Sequence, residues 1–371
     1  MDTYDVIVIG GGQSGMAAGY YLQRAGLSFV ILEAGSDTTG SWGRYYDSLR
    51  LFSPARYSSL PGMSFPGDPQ RYPARDEVMD YLRSYARRFN LPIMTHTRVE
   101  RVDRGGAGRF EVQIEGGQTL SARSVIAATG AFNRPHLPRF DGMDGYRGQL
   151  LHSAQYTVPK PFEGQQVLVI GAGNSAVQIA VELARVARVT LTSREPVRFR
   201  RQYILGRDVH FWFNVTGYDR WQRRFPKWNP FESVQTDVLD TAGYQAALRS
   251  GNPQWRRLFS RFVAEGVQWE DGAQQRFDSV ISATGFRPNL PYLQALGALD
   301  AHGNALQTGG ISDTVAGLYY VGISGQRSFA SATLRGVGED AAYVIEHLAQ
   351  YLQSPAPRLP ARCCLRPHLV T

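Results

Sequence analysis

The sequence predicts an α/β protein made from two copies of one strand–turn–helix–strand unit, and three observations carry that prediction. A short apolar run, Tyr4–Ile9, ends in Gly10-Gly11-Gly12-Gln13-Ser14-Gly15. A second run, Gln166–Ile170, ends in Gly171-Ala172-Gly173-Asn174-Ser175-Ala176. Two more apolar runs finish in one shared tripeptide, Ala128-Thr129-Gly130 and Ala283-Thr284-Gly285. Apolar runs of this length, bounded by glycine, read as strands buried on both faces, as in parallel sheets.

The elements follow in order. After the first glycine turn a helix runs to about Ala25 and stops at Gly26, and a strand, Phe29–Leu32, ends at Glu33. Val78, Tyr81, Leu82 and Tyr85 sit at helical spacing. A hairpin is predicted from Val99–Val102 to Phe110–Ile114, with further strand at Thr119–Leu120 and a separate strand ending at the first Ala-Thr-Gly. Residues 131–160, rich in Pro and Gly, read as a connector. The second turn leads into a helix over Val177–Val186 and a strand over Val189–Thr192. Residues 196–262, dense in Arg, Trp, Phe and Tyr, fit neither unit and read as an insertion or lid. A helix is predicted over Gly338–Leu352, followed by a flexible Pro/Arg tail. These elements divide into residues 1–150 and 286–355 for the first domain, 151–285 for a second domain inserted into it, and 356–371 for the tail.

Composition excludes several classes. With 43% hydrophobic and 19% charged residues, the 371-residue chain is ordinary globular material with room for two domains. The formal charge is +8, almost all of it from arginine, since Lys160 and Lys227 are the two lysines. The arginines are dispersed and form no basic run, which speaks against a nucleic-acid partner. The two cysteines, Cys363 and Cys364, are adjacent in the tail, so there is no CxxC dithiol relay and no disulfide framework. The seven histidines show no metal-ligand spacing. No apolar run approaches the ~18 residues a spanning helix needs, and no leader is evident; the expectation is a cytoplasmic protein without a membrane partner.

The glycine turns carry the chemistry. A pyrophosphate needs backbone N–H donors at a helix N-terminus and no Cβ where the chain passes close to it. Gly10 and Gly12 supply the turn and the approach, Gly15 lets the helix pack on the strand, and Gln13 and Ser14 begin the helix. Glu33, at the end of the second strand, is placed to accept ribose hydroxyls. The first Rossmann-like fold therefore suits FAD or NAD. The offset that leads from Gly10 to Glu33 leads from Gly171 to Arg194, beside Ser193. A guanidinium with a hydroxyl neighbour pairs with a 2′-phosphate where a carboxylate repels it. The second fold, with Gly171, Gly173, Asn174 and Ser175, is thus expected to prefer NADPH, with NADH the weaker alternative.

With both turns and both tripeptides in view, Tyr146-Arg147-Gly148-Gln149-Leu150-Leu151-His152-Ser153-Ala154-Gln155-Tyr156 resembles the Phe-x-Gly-x-x-x-His-x-x-x-Trp/Phe signature of class B flavoprotein monooxygenases. The chain is similar in length to their short bacterial flavin-containing members. The resemblance implies FAD and NADPH as cofactors, O2 and a small molecule as substrates, and suggests a homodimer. It implies NADPH reduction of the flavin, a C4a-hydroperoxyflavin, and oxygen transfer to a soft nucleophile such as a thioether or an amine. It places the flavin near Ser41, Trp42 and the Leu51–Ser53 loop, with Gly322 and Ser331–Leu334 at the ring end and Val99 at the adenine. The strand ends at Ala128, Thr129, Gly130, Ala283, Thr284 and Gly285 belong to the cofactor sites, and His152 to the bracing between domains. One departure concerns catalysis: Phe52 stands where animal enzymes carry an Asn that helps NADP⁺ hold the oxygenated flavin. Phe cannot donate a hydrogen bond, so an NADPH–flavin reductase or oxidase remains an alternative. A Baeyer–Villiger oxygenase is another, weakened by Tyr156-Thr157 at the end of the signature, and a non-catalytic redox sensor is a third.

Overall fold

The computed structural model describes residues 2–218 and 237–354. The tail with Cys363 and Cys364, and part of the aromatic segment, lie outside them. The first sheet begins with β1 (Thr3–Ile9), the helix α1 (Gln13–Arg24) and β2 (Phe29–Leu32). It continues through α2 (Arg75–Arg88), β3 (Ile93–Met94), β4 (Val99–Arg104), β5 (Phe110–Ile114) and β6 (Thr119–Ala127). The second sheet holds β7 (Gln149–His152), β8 (Gln166–Ile170), α3 (Asn174–Leu183) and β9 (Arg188–Ser193). After the helix α4 (Val209–Thr216) come β10 (Gln254–Arg257) and β11 (Ser279–Ser282). The chain then returns to the first sheet with β12 (Leu318–Tyr320) and closes with α5 (Val337–Gln353).

In the first sheet β12, β6, β1, β2 and β3 lie side by side and parallel. The five strands of the second, in the order β10-β9-β8-β11-β7, are parallel throughout. Alternation sorts each strand onto two cores. Val6, Val8, Ile31 and Ile126 face the helices α1, α2 and α5, while Ile7, Ile9, Val30 and Leu32 face Val102, Phe110 and Val112 of the β4–β5 hairpin. The second sheet repeats the scheme: Val167, Val169 and Leu191 meet α3, and Leu168, Ile170 and Val280 meet Phe259, Phe262 and Trp269.

Four expectations are corrected. The Thr119–Leu120 strand and the strand ending in Ala127 are one continuous β6; its Ser121 and Ser124 are buried because the strand is paired on both sides. The connector 131–160 contains β7, an outer strand of the second sheet. The stretch 196–262 contributes β10, parallel to β9, so it is not wholly an insertion. Gln-Trp-Arg-Arg is an edge strand and has no apolar run to announce it. α3 begins at Asn174 rather than Val177, because Gly173 is already the cap.

Candidate functional site

Each glycine turn is shaped by the strand end that carries the repeated tripeptide. Gly10 has φ +111°, and a Cβ there would stand 2.6 Å from the Ala128 carbonyl oxygen; Gly171 has φ +147° and would stand 2.5 Å from that of Ala283. The residue before each glycine is tied to the same alanine by a backbone bond, Ala128 N–H to Ile9 O and Ala283 N–H to Ile170 O, each 2.8 Å. Only glycine accepts that conformation with a carbonyl so close. The shared Ala-Thr-Gly is therefore the wall against which each turn is pressed.

α1 and α3 both start from a glycine with no side-chain cap, which leaves N-terminal N–H groups to be satisfied by a ligand or solvent. Both starts line one cavity of about 1220 Å³, Gly10, Gly12, Gln13 and Ser14 on one wall and Gly173, Asn174 and Ser175 on another. Between them the lining includes Glu33, Ser41, Trp42, Phe52, Ser53 and Val99. Ala128, Thr129, Gly130, Ala283, Gly285, Gly322 and Leu334 complete the predicted residues found there. Five predicted residues are not brought to it. Gly15 packs against the Gly10 carbonyl, and Gly171 against Ala283. The Thr284 hydroxyl is bound to Ser282 and to the His136 carbonyl. Ser193 is buried, its hydroxyl donating to Glu195 O (2.7 Å) and accepting from Trp255 Nε1 (2.9 Å). Arg194 is exposed.

Glu33 shapes the first turn directly. Its carboxylate accepts from Gly11 N–H at 2.8 Å and from Gly35 N–H at 2.7 Å, one bond to each oxygen. A carboxylate has about four acceptor positions, so capacity remains for a ribose diol. Gln13 ties three segments together: its Nε2 donates to the Ala332 carbonyl at 2.7 Å, and its Oε1 accepts from Trp42 Nε1 at 3.2 Å. Ala332 is left-handed, at φ +67°, an uncommon state for a residue with a side chain and one that clusters at ligand clamps. The Ser53 hydroxyl pairs with Ser58 at 2.9 Å, which holds the backbone beside Phe52.

The signature segment mainly braces, and Ser153 is the one residue it adds to the cavity lining. The Tyr146 hydroxyl donates to the Phe277 carbonyl and that of Tyr156 to Glu182 Oε2. His152 is buried, its Nε2 bound to the Gly285 carbonyl at 3.0 Å and its Nδ1 accepting from Ala154 N–H at 3.1 Å. That arrangement fixes a neutral Nε2–H tautomer, and burial pushes the imidazole below its ordinary value despite the Gly285 bond.

Many cavity-facing residues escaped the sequence reading, among them Arg200, Asp237, Gln178 and His210. Arg200 is bonded through Nε and a terminal nitrogen to Asp237 Oδ2 at 3.3 and 3.1 Å, and both residues line the cavity. Gln178 lines it too, accepting from the Tyr46 hydroxyl at 2.9 Å. His210 lines it beside Phe52, its Nδ1 2.8 Å from Asp208 Oδ1. The one available signal was Asp208-x-His210 at the start of an aromatic helix. Burial acts to raise the Asp208 carboxyl, and bonds from His210, Tyr72 and Gln202 outweigh it and hold it below the usual range.

These residues fit an adenine dinucleotide in the first turn: donors for a pyrophosphate at α1, acceptor capacity at Glu33, and the Trp42 and Phe52 rings further along the same cavity. Among the described residues no His/Cys/Asp/Glu cluster could hold a metal, and no helix is long and apolar enough to cross a membrane.

The pyridine nucleotide-disulphide oxidoreductase family matches residues 7–214. A protein of Geobacillus kaustophilus, described as an uncharacterized CzcO-like oxidoreductase, is 33% identical over 94% of this chain and 99% of its own length. Indole-3-pyruvate monooxygenase YUCCA1 of Oryza sativa subsp. japonica is 30% identical over 77% of each chain. The solved flavin-containing monooxygenase of Stenotrophomonas maltophilia is 36% identical and superposes with a TM-score of 0.84, over 95% of this chain and 99% of that one.

Proposed function

This chain belongs to the pyridine nucleotide-disulphide oxidoreductase family and, within it, to the class B flavoprotein monooxygenases, and on that premise we propose an FAD-dependent, NADPH-consuming oxygenase of soft nucleophiles. Its substrates are thioethers and amines, and its co-substrate is O2. Bound FAD supplies the redox chemistry, taking reducing equivalents from the nicotinamide and activating dioxygen.

The observation that carries the reading is the single cavity lined by both uncapped glycine turns. Gly10, Gly12, Gln13 and Ser14 at the start of α1 would hold the phosphates of one dinucleotide, and Glu33 its ribose. The strand end at Ala128–Gly130 would keep the first turn open to its nucleotide and that at Ala283–Gly285 the second, and Val99 would meet the adenine of the first. Ser41, Trp42, Phe52 and Ser53, with Gly322 and Leu334, would enclose the ring end of the first dinucleotide. Gly173, Asn174 and Ser175 at the start of α3 would hold the second nucleotide, with Gly171 shaping the turn. Arg194 is exposed at the end of β9 and free to swing onto a 2′-phosphate, while the Ser193 hydroxyl is already engaged and acts by holding the strand end. Since the family's name refers to disulphides, the cysteine count matters: Cys363 and Cys364 form no CxxC, and residues 2–218 and 237–354 contain no cysteine, which supports oxygen transfer over dithiol exchange.

The test is anaerobic reduction of the yellow protein with NADPH, followed by mixing with O2 and a thioether. Sulfoxide formed in step with NADPH consumed supports the oxygenase. Hydrogen peroxide in its place supports an NADPH oxidase, the reading that Phe52 favours because it cannot donate a hydrogen bond.

A further inference from the structure

The turns, the strand ends and the signature do not explain the cluster built on Asp208. This residue caps α4 and accepts four hydrogen bonds: from His210 N and His210 Nδ1 at 2.8 Å each, and from Tyr72 Oη and Gln202 Nε2 at 2.5 Å each. Four donors fill the acceptor positions of one carboxylate. Its side chain is 5% exposed and that of His210 1%. Because Nδ1 is committed to donation, both the tautomer and the plane of the imidazole are set.

Two things hang from this one carboxylate. Through His210 it meets aromatic rings: Phe52 lies nearly parallel to the imidazole, at 22° and 6.3 Å between centroids, and Tyr57 at 25° and 6.1 Å. Through Tyr72 it grips the segment that braces the Phe52 loop. Leu51 N–H bonds to Pro73 O and Ala55 N–H to Arg71 O, on either side of Tyr72. Phe52 has no polar atom in its side chain with which to fix its own rotamer. Its ring direction at the cavity is therefore decided by what packs on it.

We propose that Asp208, acting through His210 and Tyr72, is the positioning residue that fixes Phe52 at the oxygen-accepting end of the cavity. The residues around α4 are then part of the substrate site rather than a cover over it. This rests on the flavin-monooxygenase reading.

The experiment is a double-mutant cycle on the full-length, flavin-loaded enzyme, Asp208→Asn against Phe52→Ala. KM and kcat for a thioether are read separately, together with the visible spectrum of the bound flavin. Each single change is expected to raise KM about tenfold and to move the flavin bands in the same direction, with the double variant no worse than Phe52→Ala alone. Tyr72→Phe removes one bond of four and preserves packing; it is expected to raise KM about two- to threefold, and not at all in the Phe52→Ala background. His210→Asn keeps a donor but loses the ring, and should match Asp208→Asn. Additive effects on KM, a fall in kcat with KM unmoved, or a wild-type-like His210→Asn would each overturn the proposal. Wild-type protein that binds no flavin would instead overturn the oxygenase reading, before any variant is compared.

Discussion

The two glycine turns are the same device in two settings. Both are pressed against an alanine carbonyl, and both open a helix with no side-chain cap. Around the first turn the chain closes in. A Cβ on Gly12 would meet Gly40 at 3.4 Å, Glu33 holds the Gly11 amide, and Gln13 is tied to Trp42 and Ala332. Around the second, a Cβ on Gly173 would meet nothing within 4 Å, and Arg194 stands in solvent. An enclosed turn suits a group that stays for many turnovers; an open one suits a group that must leave after each.

The largest effect that would test this contrast comes from Gly10→Ala. A Cβ at 2.6 Å from a carbonyl, on a backbone at φ +111°, costs on the order of 1–3 kcal/mol in strain alone. The variant should purify colourless, with a melting temperature lower by several degrees. Gly171→Ala meets the same clash, yet should keep its flavin and lose NADPH-driven reduction. If it purified colourless as well, the two turns would not be separable.

Next comes Glu33→Gln, which keeps one of the two backbone bonds in a weaker, neutral form and loses the other, because the amide NH2 cannot accept from an N–H. At roughly 1.5–3 kcal/mol for bonds to a charged group, flavin affinity should fall about 10- to 100-fold by equilibrium dialysis, with the nicotinamide KM unmoved. Arg194→Ala should act on the other side only. Loss of an exposed ion pair of about 1 kcal/mol raises the NADPH KM roughly fivefold and leaves the NADH KM alone; equal changes for both nucleotides would remove Arg194 from recognition of the 2′-phosphate.

The smallest effect concerns His152 between the two halves. Its folded-state value lies below the ordinary histidine value because burial disfavours the cation. The stability it protects is complete above about pH 6.5 and is lost as the pH falls through the lowered value, since the unfolded chain takes up the proton first. The melting temperature should therefore drop more between pH 7.5 and pH 5.5 for the wild type than for His152→Gln.

Much of this was legible because it is local. Gly10, Gly12, Glu33 and the repeated tripeptides announce themselves by residue type at fixed offsets, and β1, β2 and β8 by apolar runs. What could not be read depends on contacts distant in sequence. β7 and β10 are outer strands with little burial, so their residues carry no alternation to detect. Ser193 looked like a phosphate donor beside Arg194, but its proton goes to the Glu195 carbonyl, and Trp255, far along the chain, donates to the same oxygen. Asp208 and His210 are an unremarkable pair in the sequence; only folding sets Tyr72 and Phe52 against them. The signature around His152 was recognisable without its purpose being so, because its bracing contacts lie on Phe277, Gly285 and Glu182.

The return of the chain to its first sheet has a consequence for synthesis. β12 pairs with β6, and α5 packs on α1, so one half of the protein is assembled from both ends of the polypeptide. The other sheet is complete once residue 282 has left the ribosome, while β1, β2 and β6 still wait for residues 318–320 and the helix behind them. During that interval one side of β6 and the apolar face of α1 are uncovered, a state prone to wrong association. A chain released early would carry one whole nucleotide fold and one that cannot close.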